Sequence, residues 1–153
     1  MKASQLKSPL VFLFFSLLAF GCAAPSLDVD LSSDGNLNQD STGTSYSVLV
    51  RLYQLSDPSL FEKASVSSLF RQDDEILSAT LVSKKELSVA PNTQAVLEIP
   101  KDEASRYLGV VAFYRDTKSE RQIAVKKVNY GKLKFSTKLQ LQLVDNNIFL
   151  SYR

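Results

Sequence analysis

Histidine is absent from the 153 residues, tryptophan is absent too, and there is one cysteine. Without histidine the chain lacks the commonest general base near neutral pH and the commonest neutral metal ligand. Most hydrolase and zinc-site readings fall on that ground. A single thiol closes no disulfide within the chain, so stability has to come from packing. An excess of charge is also missing. The formal +2 is carried by Lys2 and Lys7, and the basic and acidic residues that follow cancel. Nucleic-acid binding needs a basic excess that residues 22–153 do not have. Long apolar runs are scarce, with one exception.

That exception is Val11-Phe12-Leu13-Phe14-Phe15-Ser16-Leu17-Leu18-Ala19-Phe20-Gly21, which stops at Cys22. Lys2 and Lys7 precede it, and no acidic residue occurs before Asp28. A positive start, a short apolar core and small residues at its end describe a secretory signal peptide. A helix of about 12 residues reaches about 18 Å, too short for a hydrocarbon core of about 30 Å. Residues 1–21 are therefore expected to target the chain and be removed. Ala19-Phe20-Gly21-Cys22 resembles the bacterial lipobox, in which the cysteine is lipidated and becomes the first mature residue. The resemblance implies a covalent diacylglycerol thioether and an N-acyl chain on Cys22, and no other cofactor. Several chains hold a protein firmly, because each buried CH₂ contributes about 0.8 kcal/mol and one chain is marginal. Asp after the cysteine is the inner-membrane retention signal of such proteins. This chain has Ala23, which points to the outer membrane and a periplasmic location.

Residues 22–26 read as a lipidated end and short tether, and residues 27–153 as one domain large enough for a real core. Leu27-Asp28-Val29-Asp30-Leu31 alternates with period two, the pattern of a half-buried strand. Residues 46–55 are apolar on both faces, which suits a strand inside a sandwich. Asp57 then reads as a helix cap, with Pro58 opening a short helix that carries Leu60, Phe61 and Ala64. Ser65 opens a second helical turn with Leu69 and Phe70, so a helical insertion spans about 57–71 and covers the open end of the core. Asp73-Asp74-Glu75 reads as a solvated acidic corner.

From Ile76 onward the sequence predicts strand after strand. The segments are 80–82 leading into 86–89, then 94–99, 107–114, 121–128, 139–143 and 148–152. Turns fall at Pro91-Asn92, at 100–103, in a polar loop at 117–120, and at Asp145-Asn146-Asn147, where Asn tolerates positive φ. The most continuously apolar strand, 107–114, is expected at the centre with neither face exposed. About eight short strands and one brief helical insertion make an all-β sandwich of two sheets.

Residues 32–45 are polar, turn-rich and longer than a hairpin needs. Within them Asp34, Gly35, Asn36, Leu37, Asn38, Gln39, Asp40, Ser41 and Thr42 have too few apolar groups for a core to hold them. Leu37 among Asn36, Asn38 and Gln39 has the makeup of an exposed anchor with polar neighbours, as interfaces use. Replacing 36–40 should then leave stability nearly unchanged while abolishing partner binding.

Leu37-Asn38, Val48-Leu49-Val50-Arg51-Leu52-Tyr53-Gln54-Leu55, Phe61, Leu69 and Tyr107-Leu108-Gly109-Val110-Val111-Ala112-Phe113-Tyr114-Arg115-Asp116 occur in that order. In these segments the chain resembles the TssJ/SciN family, outer-membrane lipoproteins of the bacterial type VI secretion system. The likeness runs from Leu27 to the end of the chain. Two turns differ: Glu120-Arg121 stands where the family usually has Trp-Arg, and Pro91-Asn92 where it has Pro-Gly. The resemblance implies a transthyretin-like sandwich tethered to the outer membrane. Its loop between the first two strands would bind the periplasmic domain of the inner-membrane protein TssM. It implies a scaffold, with no enzyme activity, no small-molecule substrate and no metal. The competing reading is a pilotin-like or ligand-binding lipoprotein of another envelope assembly. Ser151-Tyr152-Arg153 is faintly similar to the C-terminal motif of hydroxyisourate hydrolases, but that chemistry needs histidines.

Overall fold

The computed structural model describes residues 25–116, 121–128 and 136–153. The expected signal peptide, Cys22 and the 117–120 loop lie outside the described residues. The elements run β1 (Ser26–Ser33), β2 (Val48–Leu55), α1 (Ser59–Lys63), α2 (Val66–Leu77), β3 (Leu81–Val89), β4 (Gln94–Pro100), β5 (Tyr107–Phe113), β6 (Ile123–Lys127), β7 (Thr137–Val144) and β8 (Asn147–Tyr152). The strands form two four-stranded sheets, ordered β4-β1-β7-β8 and β3-β2-β5-β6. The expected all-β sandwich is the fold.

Alternation explains the first sheet. Leu27, Val29 and Leu31 of β1 and Leu139, Leu141 and Leu143 of β7 are buried, each within 3% of full burial. Asp28, Asp30, Lys138 and Gln140 take the opposite face, because successive side chains of a strand point to opposite sides. β1 pairs with β4 antiparallel and with β7 parallel, Leu27 opposite Thr137. That parallel pair joins residues 110 positions apart. The facing layer is Val50, Leu52, Leu108, Val110 and Ala112, all buried. Full burial of each such side chain contributes about 1.5–3 kcal/mol.

The second sheet is covered on both faces at β2 and β5, since a second apolar cluster lies outside it, while most of the edge strand β3 stays exposed. Tyr53, Leu55 and Val111 of the outer face meet Phe61 of α1 and Leu69 and Leu77 of α2. The helical insertion therefore covers the back of this sheet and not the open end between the sheets, because the sheet's outer face is itself apolar. Gly109 makes the close approach possible: a Cβ there would stand 3.0 Å from the Phe61 ring and 3.1 Å from Leu55. β5 is interior to its sheet, as its composition predicts. Val110 is fully buried, whereas Phe113 is half-buried beneath Phe70, whose ring meets it edge-on at 5.1 Å.

Two local readings are corrected. Helix α2 runs through the supposed acidic corner to Leu77, bending at Gln72, whose φ of −145° is not helical. Asp73 is then 6% exposed, where Tyr53 Oη donates to its Oδ2 at 2.9 Å and Arg51 Nη1 at 3.3 Å. Lys84 Nζ lies 3.3 Å from the same carboxylate. Asp73 is thus a buried acid that locks α2 to β2 and β3. It was not legible as such because the side chains that pair with it, Lys84, Tyr53 and Arg51, are at least eleven positions away. Ser65 caps α2 as expected, its Oγ accepting from the Ser68 N–H at 3.1 Å. Asp57 Oδ1 accepts from the Ser59 N–H at 2.9 Å, so it satisfies the start of α1 although the helix begins a residue later than expected.

Candidate partner-docking site

Every strand connection at one end of the sandwich converges on the segment between β1 and β2. Asp34 begins it. Its N–H donates to the Leu143 carbonyl at 3.1 Å, its Oδ2 accepts from the Asp145 N–H at 2.7 Å, and its carbonyl accepts from the Asn92 N–H at 3.0 Å. One residue so ties the β1–β2 loop to the β3–β4 and β7–β8 turns. Those turns need left-handed backbone, and the sequence supplies Asn92 (φ 56°), Asp145 (φ 48°) and Asn146 (φ 58°).

Leu37 corrects the sequence reading. It is fully buried and belongs to the core between the sheets, so it is no exposed anchor. The apolar side chain drops inward because the turn at 35–38 carries it over the mouth of the sandwich, where burial outweighs exposure. Asn38, 4% exposed and at φ 52°, holds that turn closed. Its N–H donates to Asn146 Oδ1 at 2.6 Å, its Nδ2 to the Ser47 carbonyl at 2.8 Å, and its Oδ1 accepts from the Arg115 N–H at 2.8 Å. Residues 36–40 are therefore part of the folded body, and replacing them would cost stability, contrary to the expectation above.

The tip is organised by Asp40. Its Oδ1 accepts from the Thr42 N–H (2.9 Å), the Thr42 hydroxyl (2.7 Å) and the Thr44 N–H (3.0 Å). Tyr46 Oη donates to its Oδ2 at 3.1 Å. The Thr42 hydroxyl above all, with the Thr44 and Thr42 amides and the Tyr46 hydroxyl, holds this carboxyl down to about 2. Gly43 takes φ 82°, a conformation only glycine adopts freely. The Arg115 guanidinium lies over the Tyr46 ring at 4.6 Å.

Of the nine residues singled out from sequence, Gly35, Asn36, Ser41 and Thr42 present exposed side chains or backbone, and Gln39 and Asp40 are half-buried. Asp34 and Asn38 work as the framework beneath them. Tyr46, 40% exposed, and Arg115 complete the rim, and neither was singled out. Tyr46 reads as the first residue of a strand, and Arg115 sits next to the apolar run of β5. The available signal was their type, since Tyr and Arg are enriched at the energetic centres of interfaces.

A β-sandwich whose loops at one end are hydrogen-bonded into a single presented surface has the build of a protein-binding module. The profile described as Type VI secretion lipoprotein, VasD, EvfM, TssJ, matches residues 25–146, and the chain belongs to this T6SS-SciN family. Among solved structures, the T6SS lipoprotein TssJ1 from Pseudomonas aeruginosa is similar with a TM-score of 0.78 and 27% identity, over 86% of this chain and 98% of that one. Serratia marcescens Lip, a membrane-bound component of the type VI secretion system, has a TM-score of 0.76 over 84% of this chain and 99% of that one. At 14% identity that likeness is one of fold. A chain in the structure described as the T6SS protein TssM C-terminal domain from EAEC has a TM-score of 0.70 and 25% identity, over 82% of this chain and 99% of that one. No curated protein matches.

Proposed function

We propose that the protein is an outer-membrane lipoprotein that acts as a structural scaffold of the type VI secretion membrane complex, docking the periplasmic domain of the inner-membrane TssM component through the 34–47 loop and Arg115. The observation that carries this is the pinned loop. A rim in which Asp34 and Asn38 are fixed to three neighbouring connections loses little conformational freedom when a partner binds. The similarity to a chain in a structure described as a TssM C-terminal domain supports the choice of partner.

Cys22 is the proposed lipid site. Its thiolate attacks the glycerol carbon of a phospholipid donor, forming the C–S thioether as the C–O bond to the phosphate headgroup breaks and that headgroup leaves, and hydrolysis of the peptide bond before Cys22 frees the amine for acylation. Ala23 directs the product to the outer membrane. The role is one of assembly and not catalysis.

Capture from detergent-solubilised envelopes tests the reading. The tagged protein should bring down the TssM-type partner, and palmitate labelling should vanish in Cys22→Ser while that variant leaves the outer-membrane fraction. Labelling that persists in Cys22→Ser overturns the anchor, and capture without the partner overturns the docking role.

A further inference from the structure

The helices lie against the outer face of the second sheet, whereas the outer face of the first carries a charge pattern of its own. The strand register sets that pattern in one row across the four strands. Asp28 of β1 stands opposite Glu98 of β4 on one side and opposite Lys138 of β7 on the other. The Arg153 N–H donates to the Lys138 carbonyl at 3.2 Å, which places Arg153 at the β8 end of the row. The row therefore runs Glu98, Asp28, Lys138, Arg153, acidic over β4 and β1 and basic over β7 and β8. Ser26 Oγ donates to Asp28 Oδ1 at 2.7 Å, and Arg153 also reaches Asp30, two positions along β1. Beside Asp30 stands Val96, an apolar side chain left 72% exposed.

We propose that this face pairs with the same face of a second copy of the chain, about a two-fold axis that runs along the strands between β1 and β7. A two-fold contact sets one patch against itself. Rotation about this axis keeps each row at its own height and reverses it from side to side. Asp28 then faces the second copy's Lys138, Glu98 faces the second copy's Arg153, and both matches occur twice. Val96 is covered by the same contact. The anchor selects the same axis, and here the inference rests on Cys22 carrying the lipid. Pro25 is fixed beside the start of β1, its carbonyl accepting from the Lys101 N–H at 3.0 Å. Cys22 lies three positions before it, a reach of at most about 11 Å. With the axis along the strands, both Pro25 residues lie at one end of the pair, so both acylated cysteines enter one membrane. Both 34–47 loops then stand side by side at the other end. An axis across the strands would send the anchors in opposite directions and set the charged row against Gln94, Ser32, Gln142 and Phe149. Four strands about 4.8 Å apart and about eight residues long give the face about 500 Å², so the pair buries about 1,000 Å², the lower bound of a specific interface. Such an association is weak in free solution and gains where anchors confine the chains to one surface.

Cross-linking in vesicles tests the pairing. Facing sheets lie about 10 Å apart, so the two copies of Gln140, exposed on β7 beside the axis, are about 11 Å apart. Cys22 is the one cysteine of the chain and its thiol is consumed by the thioether, so Gln140→Cys carries the one reactive thiol. The acylated variant is reconstituted in phosphatidylcholine vesicles and treated with a bis-maleimide linker of about that span. Glu75→Cys, exposed on α2 behind the other sheet, is the control. The expected result is a covalent dimer from Gln140→Cys and little from Glu75→Cys. Adding Lys138→Asp sets acid against Asp28 twice in each pair, so the dimer yield should fall several-fold, with thermal unfolding unchanged. Adding Asp28→Lys to that variant should restore the yield. Equal cross-linking at the two positions, a yield that Lys138→Asp leaves unchanged, or no recovery on adding Asp28→Lys overturns the proposal while leaving the anchor standing. Failure to float with the vesicles overturns the anchor, and with it the choice of axis and the pairing.

Discussion

The backbone N–H of Arg115 donates to the side-chain Oδ1 of Asn38 at 2.8 Å, joining the residue after β5 to the loop between β1 and β2. The same Asn38 amide donates to Ser47, so one buried side chain sets both ends of the presented loop. The arrangement also brings Arg115 to the Tyr46 ring. A stacked cation there adds about 0.5–1 kcal/mol at an exposed site, enough to order the pair before a partner arrives.

Asn38→Ala should therefore destabilise the whole domain and not only the loop. It orphans the part-buried Ser47 carbonyl and Arg115 N–H, each toward the low end of the range of about 1–3 kcal/mol that a fully buried group would cost, so a loss of about 2–4 kcal/mol is expected in urea unfolding. Leu37→Ala should cost about 2–5 kcal/mol by the cavity it leaves. A melting curve unchanged in both variants would mean that the turn is not packed as described.

Gly109→Ala probes the second core. The added methyl meets the Phe61 ring at 3.0 Å and Leu55 at 3.1 Å, and both are fully buried with little room to shift. Overpacking of this kind costs about 1–3 kcal/mol. Equilibrium unfolding of the variant checks it, and Phe61→Ala should not add its full separate cost, since the two side chains compete for one space.

Asp73 gives a pH dependence. Burial pushes its carboxyl up, but the Tyr53 hydroxyl, then Lys84 and Arg51, outweigh burial and leave the pKa below the usual value. A carboxyl depressed in the folded state contributes stability above its unfolded value of about 3.9 and loses it as pH falls through the folded value. Asp73→Asn should thus be less stable than wild type at pH 7, and the gap should narrow below about pH 4. A gap that is constant from pH 7 to pH 3 would show that Asp73 is not charged in the fold.

How far the sequence carried the fold depends on how local each cause is. The alternation of Leu139, Leu141 and Leu143 with Lys138, Gln140 and Gln142 is a property of one strand, and the structure buries the leucines. The Asn146 turn and the Ser65 cap are equally local, resting on residue types that tolerate left-handed backbone or accept from a helix start. The parallel pairing of β1 with β7 leaves no local trace, because either register partner could supply the same apolar row. Leu37 and Asp73 failed for one reason. Each was judged by its polar neighbours in sequence, while its environment is made by β-strands and turns far along the chain. Resemblance to the family located the loop between the first two strands, and only the structure showed which of its residues are framework and which are presented.

The central claim is that the exposed rim docks the partner, and a titration of the purified TssM-type periplasmic domain tests it most directly. The variant joins Ser41→Gly, Thr42→Gly, Tyr46→Ala and Arg115→Ala, leaving Leu37 and Asn38 in place. Loss of two central interface residues costs at least about 2 kcal/mol, so the dissociation constant should rise thirty-fold or more, with a melting temperature close to wild type. An affinity equal to wild type in a variant that remains folded would contradict the account and move the interface to another face, the helical insertion with its exposed Leu60 and Phe70 first.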